Sequence, residues 1–250
     1  MSAAFSLMLA LALAGPAQAA PASADVVIAR AVRAHGGLPN LVKFTCATWL
    51  AAGKLHGPSG VTPYRVSSAR KAGDQSLTAI ETEVSGQRHR LVRVVRGDRG
   101  WVKFNDRVQE LEPLAHAEEK ERLHASWIAT LVPLTLGAIE KTLVGSIDID
   151  GRPAYGVRVS GEGHRDVTLW FDQESGLLRK KETRVSDLAR GGLQVAQETF
   201  YGGYQSVEGL QVARMVQVYW DGQIYLDTVI SEMQGHDRLA EELFWRPQPD

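Results

Sequence analysis

Between Gln194 and Met233 the chain keeps a two-residue beat. Val212, Arg214, Val216 and Val218 form one run, and Ile224, Leu226, Thr228 and Ile230 another. Such alternation sends every second side chain to the same face of an extended strand, and a helix cannot gather it on one side. Asp221-Gly222 lies between the two runs, and an Asp-Gly pair supplies the positive φ values of a tight hairpin turn. Residues 215–220 and 223–232 are therefore expected to pair antiparallel. Further breaks at Gly202-Gly203 and Glu208-Gly209 divide residues 194–233 into four expected strands.

The same logic extends through most of the chain. Extended runs at 44–55, 64–69, 76–84, 88–95 and 99–104 are separated by Gly57-Pro58-Ser59-Gly60, Gly73-Asp74, Ser85-Gly86, Gly97-Asp98 and Asn105-Asp106. Strands resume at 141–149, 154–160, 166–171 and 177–185. Two stretches instead carry a helical period. In 24–35 the apolar residues Val27, Ile28, Ala31 and Val32 share a face, Asp25 reads as the cap, and Gly36-Gly37 stops the turn. In 114–132 the apolar residues are Leu114, Ala117, Leu123, Trp127, Ile128 and Leu131, and Pro133 ends the run, with a shorter helical turn over 134–140. A last helical turn is expected at 237–243, with Phe244-Trp245 anchoring the C-terminus. The expected class is α+β, mainly antiparallel β, in one domain over residues 20–250.

Composition narrows the function. A formal net charge of −1 leaves no basic excess for nucleic-acid binding. Residues 1–19 hold an apolar run from Phe5 to Ala14, a break at Gly15-Pro16 and the small-residue pattern Ala17-Gln18-Ala19, the form of a cleaved signal peptide. The mature chain is expected to begin near Ala20 and to work in the periplasm or outside the cell. The single cysteine, Cys46, excludes an internal disulfide and reads as apolar filler of a strand.

Catalytic patterns are weak. His116, Glu119, Glu121 and His124 stand at helical spacing, but Lys120 shares the face of the two histidines, and the segment reads as a solvated charged surface. Asp148-Ile149-Asp150 lacks the further acidic ligands of a calcium loop. No glycine cluster has the spacing of a phosphate cradle, and no serine sits in a nucleophile elbow. The arginine-rich run 88–96 reads as a solvated outer face or a charged rim. No cofactor and no metal are expected. The six tryptophans remain, spread over strands and helices. They serve as core, or as the lining of a hollow sheet if the core is not filled.

Three motifs carry a resemblance: His35-Gly36-Gly37 closing the first helix, Leu169-Trp170-Phe171-Asp172-Gln173-Glu174-Ser175-Gly176-Leu177-Leu178-Arg179, and Tyr204-Gln205-Ser206-Val207-Glu208-Gly209-Leu210. With the signal peptide, the helical insertion and the ending Leu243-Phe244-Trp245-Arg246-Pro247, the order of elements resembles the LolA/LolB-like superfamily of periplasmic lipoprotein carriers. The resemblance implies a curved, incomplete β-barrel with an N-terminal helix and a helical lid at about 113–140 over an apolar cavity. It implies a non-catalytic carrier for acyl chains of a lipid or lipoprotein, with transient membrane contact. The expected lining is Trp49, Trp101, Leu123, Trp127, Ile128, Leu131, Trp170 and Trp220. The competing expectations are an enzyme using Glu119, Glu121 and His124 in the same cavity, and an interaction module without a ligand.

Overall fold

The computed structural model describes residues 23–58 and 60–249; the signal-peptide reading of 1–19 and the cleavage point before Ala20 lie outside them. The chain opens with α1 (Ala24–Ala34), whose N-terminus is capped by Ser23 rather than by Asp25: the Ser23 side chain accepts from the Val26 amide. A short helix not anticipated from the sequence, α2 (Leu38–Lys43), follows. Pro39 stands in its first turn, where a missing N–H leaves no helical hydrogen bond unmade.

Six strands come next: β1 (Cys46–Gly57), β2 (Gly60–Lys71), β3 (Gln75–Val84), β4 (Gln87–Arg96), β5 (Arg99–Phe104) and the unanticipated β6 (Arg107–Glu110). Helix α3 (Pro113–Ile128) and a single 3-10 turn (Pro133–Thr135) lead to β7 (Glu140–Ile149), β8 (Arg152–Ser160), β9 (Val167–Asp172) and β10 (Leu178–Asp187). The chain then runs through β11 (Leu193–Val207), β12 (Leu210–Trp220) and β13 (Gln223–Gly235) to a last 3-10 turn (Glu241–Phe244). The Asp221-Gly222 hairpin forms as expected, with φ values of 46° and 78°. Gly202-Gly203 does not separate two strands. β11 passes through it with its pairing to β12 in one register on both sides, so residues 194–233 hold three strands rather than four.

All the strands join one antiparallel sheet in the order β6-β5-β4-β3-β2-β1-β13-β12-β11-β10-β9-β8-β7. Each half is a meander of successive neighbours. The two halves meet where β1 pairs with β13, and the sheet curls into an incomplete barrel whose edges β6 and β7 remain unpaired with each other. The segment holding α3 is the connection between those two edges, so chain topology alone carries a helix across the opening.

Residues paired across an antiparallel ladder project to the same side, and the register therefore sorts the faces. The inner face receives α1 and the C-terminal half of α3. Ala24, Val27, Ile28, Ala31 and Val32 of α1 form the main core with Ala125 and Ile128 of α3, Leu131, Leu134, and Val157, Val159, Val167, Leu169 and Phe171 of β8 and β9. The outer face of β2–β5 is covered by the C-terminal segment. Leu239 and Phe244 pack there on Ala69, Val94 and Trp101, and Glu241 reaches both Lys71 and Arg96. Phe244 is fully buried, as expected of an anchor, whereas Trp245 is exposed.

Candidate ligand-binding site

The three sequence motifs meet at the end of α1. The His35 ring is buried; its Nδ1–H donates to the Ala31 carbonyl at 2.8 Å, and its Nε2 accepts from the Leu178 amide at 3.4 Å. The Tyr204 hydroxyl donates to the Leu178 carbonyl at 2.6 Å, and the Tyr204 and His35 rings meet edge to face. A Cβ on Gly36 would stand 2.0 Å from the Gly209 carbonyl oxygen, so glycine is what lets α1 approach the β11–β12 turn. These motif residues lock α1 onto the sheet. Burial holds the His35 imidazole below its usual pKa, the Ala31 hydrogen bond acting in the other direction. The neutral ring therefore contributes stability that is complete above about pH 6.5 and is lost as pH falls toward the lower folded value. Replacing His35 by alanine is expected to cost about 3 kcal/mol in urea unfolding at pH 7.5, with a smaller loss of stability on acidification than in the parent.

Where α1 stops, the inner face is left open. Val66, Ile80 and Leu91 align across β2, β3 and β4, while Val216 and Val218 on β12 share a face with Thr228 and Leu226 on β13 and, through the β1 pairing, with Leu55. All these aliphatic side chains are only half-buried, and none belongs to a buried core cluster. Tyr64 lies across Gly53 on the same face and hydrogen-bonds Thr228. The result is an apolar trough on the concave side of the sheet.

Helix α3 roofs the barrel, held from both sides by charge. Glu119 is buried at 7% exposure; it accepts from Arg93 of β4 through one oxygen and from Arg122 through the other. Burial opposes its ionisation, but the two arginines prevail and hold its carboxyl below the usual range. Across the opening, Glu118 binds Arg165, and Glu121 accepts from the Arg165 amide at 2.9 Å and from His164 at 3.0 Å. The His124 and His164 rings stack with centroids 3.8 Å apart. The expectation of a solvated charged helix face is thereby corrected: the carboxylates are the docking contacts of α3, and Arg93 faces inward rather than to a solvated rim. Among the described residues no group of three or more His, Cys, Asp or Glu is placed to hold a metal ion.

The four strand tryptophans among the expected lining residues divide by parity. Trp49 and Trp220 project to the concave side, Trp49 beneath the Arg70 guanidinium and Trp220 stacked on Tyr225 at 3.7 Å with its Nε1 donating to Gln197. Leu123, Ile128 and Leu131 are buried, Ile128 and Leu131 in the main core, and Trp127 packs against that core while keeping accessible surface. Trp101 and Trp170 do not line the trough. Their pairing with Val94 and Gly156 turns both to the outer face, Trp101 under Phe244 and Trp170 against Ile149 and Ala154. Alternation along a strand was visible in the sequence, but which face is concave was not. An indentation of about 620 Å³ between α1 and the β9–β10 turn lies apart from the trough; Arg30 in its wall donates to the Glu174 carbonyl and Asp172 pairs with Arg152, so it is a seam between packed elements.

Known structures share this architecture. A LolA superfamily protein from Nitrosomonas europaea superposes with a TM-score of 0.59 at 15% identity, the match covering 90% of this chain and 98% of that one. The chain has a LolA-like fold. A DUF1329 family protein from Desulfovibrio piger matches at a TM-score of 0.56 and 12% identity, over 89% of this chain and 97% of that one. A domain named for outer-membrane lipoprotein sorting, from Vibrio parahaemolyticus, matches at 0.53 and 10% identity, over 87% and 94% of the two chains. No protein-family model matches the sequence, and neither does any curated protein.

Proposed function

We propose that the protein is an exported, non-catalytic carrier that shelters an alkyl or acyl chain of a lipid or lipoprotein in the concave trough, with the N-terminal half of α3 as its lid. The observation that carries this reading is an unfilled apolar inner face beneath a helix that the topology draws from one sheet edge to the other. Each methylene moved from water into such a trough contributes about 0.8 kcal/mol, so affinity needs no reactive group. The C-terminal half of α3 is core, since Ala125 and Ile128 are buried against α1. The N-terminal turns are docked instead by Glu118, Glu119 and Glu121, through ion pairs that have to part for the lid to open. Export is read from residues 1–19. Among the described residues no helix is long and apolar enough to cross a membrane. The fold shared with a domain named for lipoprotein sorting supports a carrier role.

The test uses the mature chain from Ala20 and a fluorescent long-chain alcohol, which reports the trough without any charge. Ile80→Asp and Val218→Asp each place a charge on its floor, and each is expected to weaken the probe by more than about tenfold while the β-sheet circular-dichroism signal persists. Unchanged binding in both folded variants would remove the trough from the function. Native mass spectrometry of the purified parent is expected to show co-purified lipid.

A further inference from the structure

The inner end of the trough carries charge that the fold leaves unanswered. Lys181 on β10 is 7% exposed, and among the described residues no acceptor bonds its ammonium. Its charged neighbours are Arg122 and Arg70, both of its own sign, and burial followed by these two cations brings its pKa down to about 8. Arg70 on β2 has its Nε sealed from solvent without an acceptor, and its guanidinium lies 5.6 Å from the Trp49 ring centroid. Tyr201 on β11, paired with Val216 of the trough, stands close enough for its hydroxyl to feel Arg70, and that hydroxyl too has no bonding partner among the described residues. Glu119 is already engaged by Arg93 and Arg122.

The next residue along β10 shows what a structural lysine looks like in this protein. Lys180 projects to the outer face, where Glu182 and Glu198 both bind its ammonium. Lys181, turned inward, has nothing equivalent. A buried cation without a counter-ion is costly, and one beside a second unpaired cation and a free phenol is the donor set that an oxyanion satisfies.

Resting on the carrier reading, we propose that Lys181, Arg70 and Tyr201 form a seat for the oxyanion of the ligand, a carboxylate or phosphate held at the inner end while its alkyl chain runs outward along the trough. The ligand class is then an anionic amphiphile rather than a neutral lipid.

Competition against the fluorescent alcohol separates this inference from the reading beneath it. Dodecanoate and dodecyl phosphate are expected to bind at least about tenfold more tightly than dodecanol, because only they meet the unpaired donors. Lys181→Met and Arg70→Met are each expected to bring the three ligands toward parity, and Tyr201→Phe to act in the same direction more weakly, while dodecanol still binds. Inorganic phosphate that competes with dodecanoate but spares the alcohol probe shows that the seat also takes free anions; phosphate that displaces neither ligand restricts it to head groups of bound amphiphiles. Equal affinity for acid and alcohol in the parent, or a preference that survives both methionine variants, overturns the seat and leaves the carrier intact. Failure of dodecanol itself to bind overturns the carrier reading instead.

Discussion

Glutamine at position 119 is expected to destabilise the protein by about 3 kcal/mol, because removing one member of a buried ion cluster leaves the others uncompensated. Glu119 is the carboxylate that answers Arg93 and Arg122, and Lys181 and Arg70 already lie unpaired nearby. Losing it concentrates positive charge beneath α3 as well as removing hydrogen bonds. Arg93 and Arg122 retain some access to water, which keeps the estimate at the lower end for a buried cluster. The pH dependence has a definite sign: the folded carboxyl titrates below its ordinary value of 4.5, so its contribution is complete above that pH and is lost as pH falls through the folded value. Urea midpoints measured from pH 7 to pH 3 should show a steeper acid loss in the parent than in Glu119→Gln. Equal midpoints at pH 7 would mean that α3 is not held through this carboxylate.

Removing the ammonium at position 181 should act in the opposite direction. Lys181→Met is expected to stabilise the ligand-free protein by about 2 kcal/mol at pH 7, since it replaces a buried, unpaired charge by an apolar chain of similar length. For a chain of this length that corresponds to a rise in Tm of about 5 °C. Lysine in the folded protein titrates at about 8 against 10.5 for the free side chain. Between those values the unfolded chain binds the extra proton, so the stability of the parent climbs as pH rises from about 8 to about 10.5. The methionine variant should lack that climb. Calorimetric scans at pH 7 and pH 10 check both statements, and a variant that melts below the parent at pH 7 would show that Lys181 has a structural partner.

What the sequence made legible was local. The Asp221-Gly222 hairpin and the apolar stripe of α1 follow from turn chemistry and helical period, each contained within a few residues. The docking of α3 was not legible. Glu119 meets Arg93 26 positions away, and Glu118 meets Arg165 47 positions away, so the carboxylates of 118–121 look like any solvated helix face. Trp101 and Trp170 misled for a related reason: both faces of the sheet bury apolar residues, the outer one under the C-terminal segment, so alternation does not say which face is concave. Lys181 sits in a Lys180-Lys181-Glu182 run that reads as ordinary surface; only the register separates the paired lysine from the unpaired one.

The meeting of β1 with β13 has a consequence for how the chain acquires its shape. Every other ladder joins strands that follow one another in the chain, most of them by a short turn. The central one brings Thr48 to His236 across 188 positions and His56 to Asp227 across 171. Closing a loop of that size carries the largest entropic cost of any pairing in the sheet, and contacts this distant in sequence slow folding. The first meander, complete once β6 is made, must therefore wait with one long side of β1 unsatisfied until the far end of the chain arrives. The seam formed last during synthesis is the one that lies in the middle of the finished sheet.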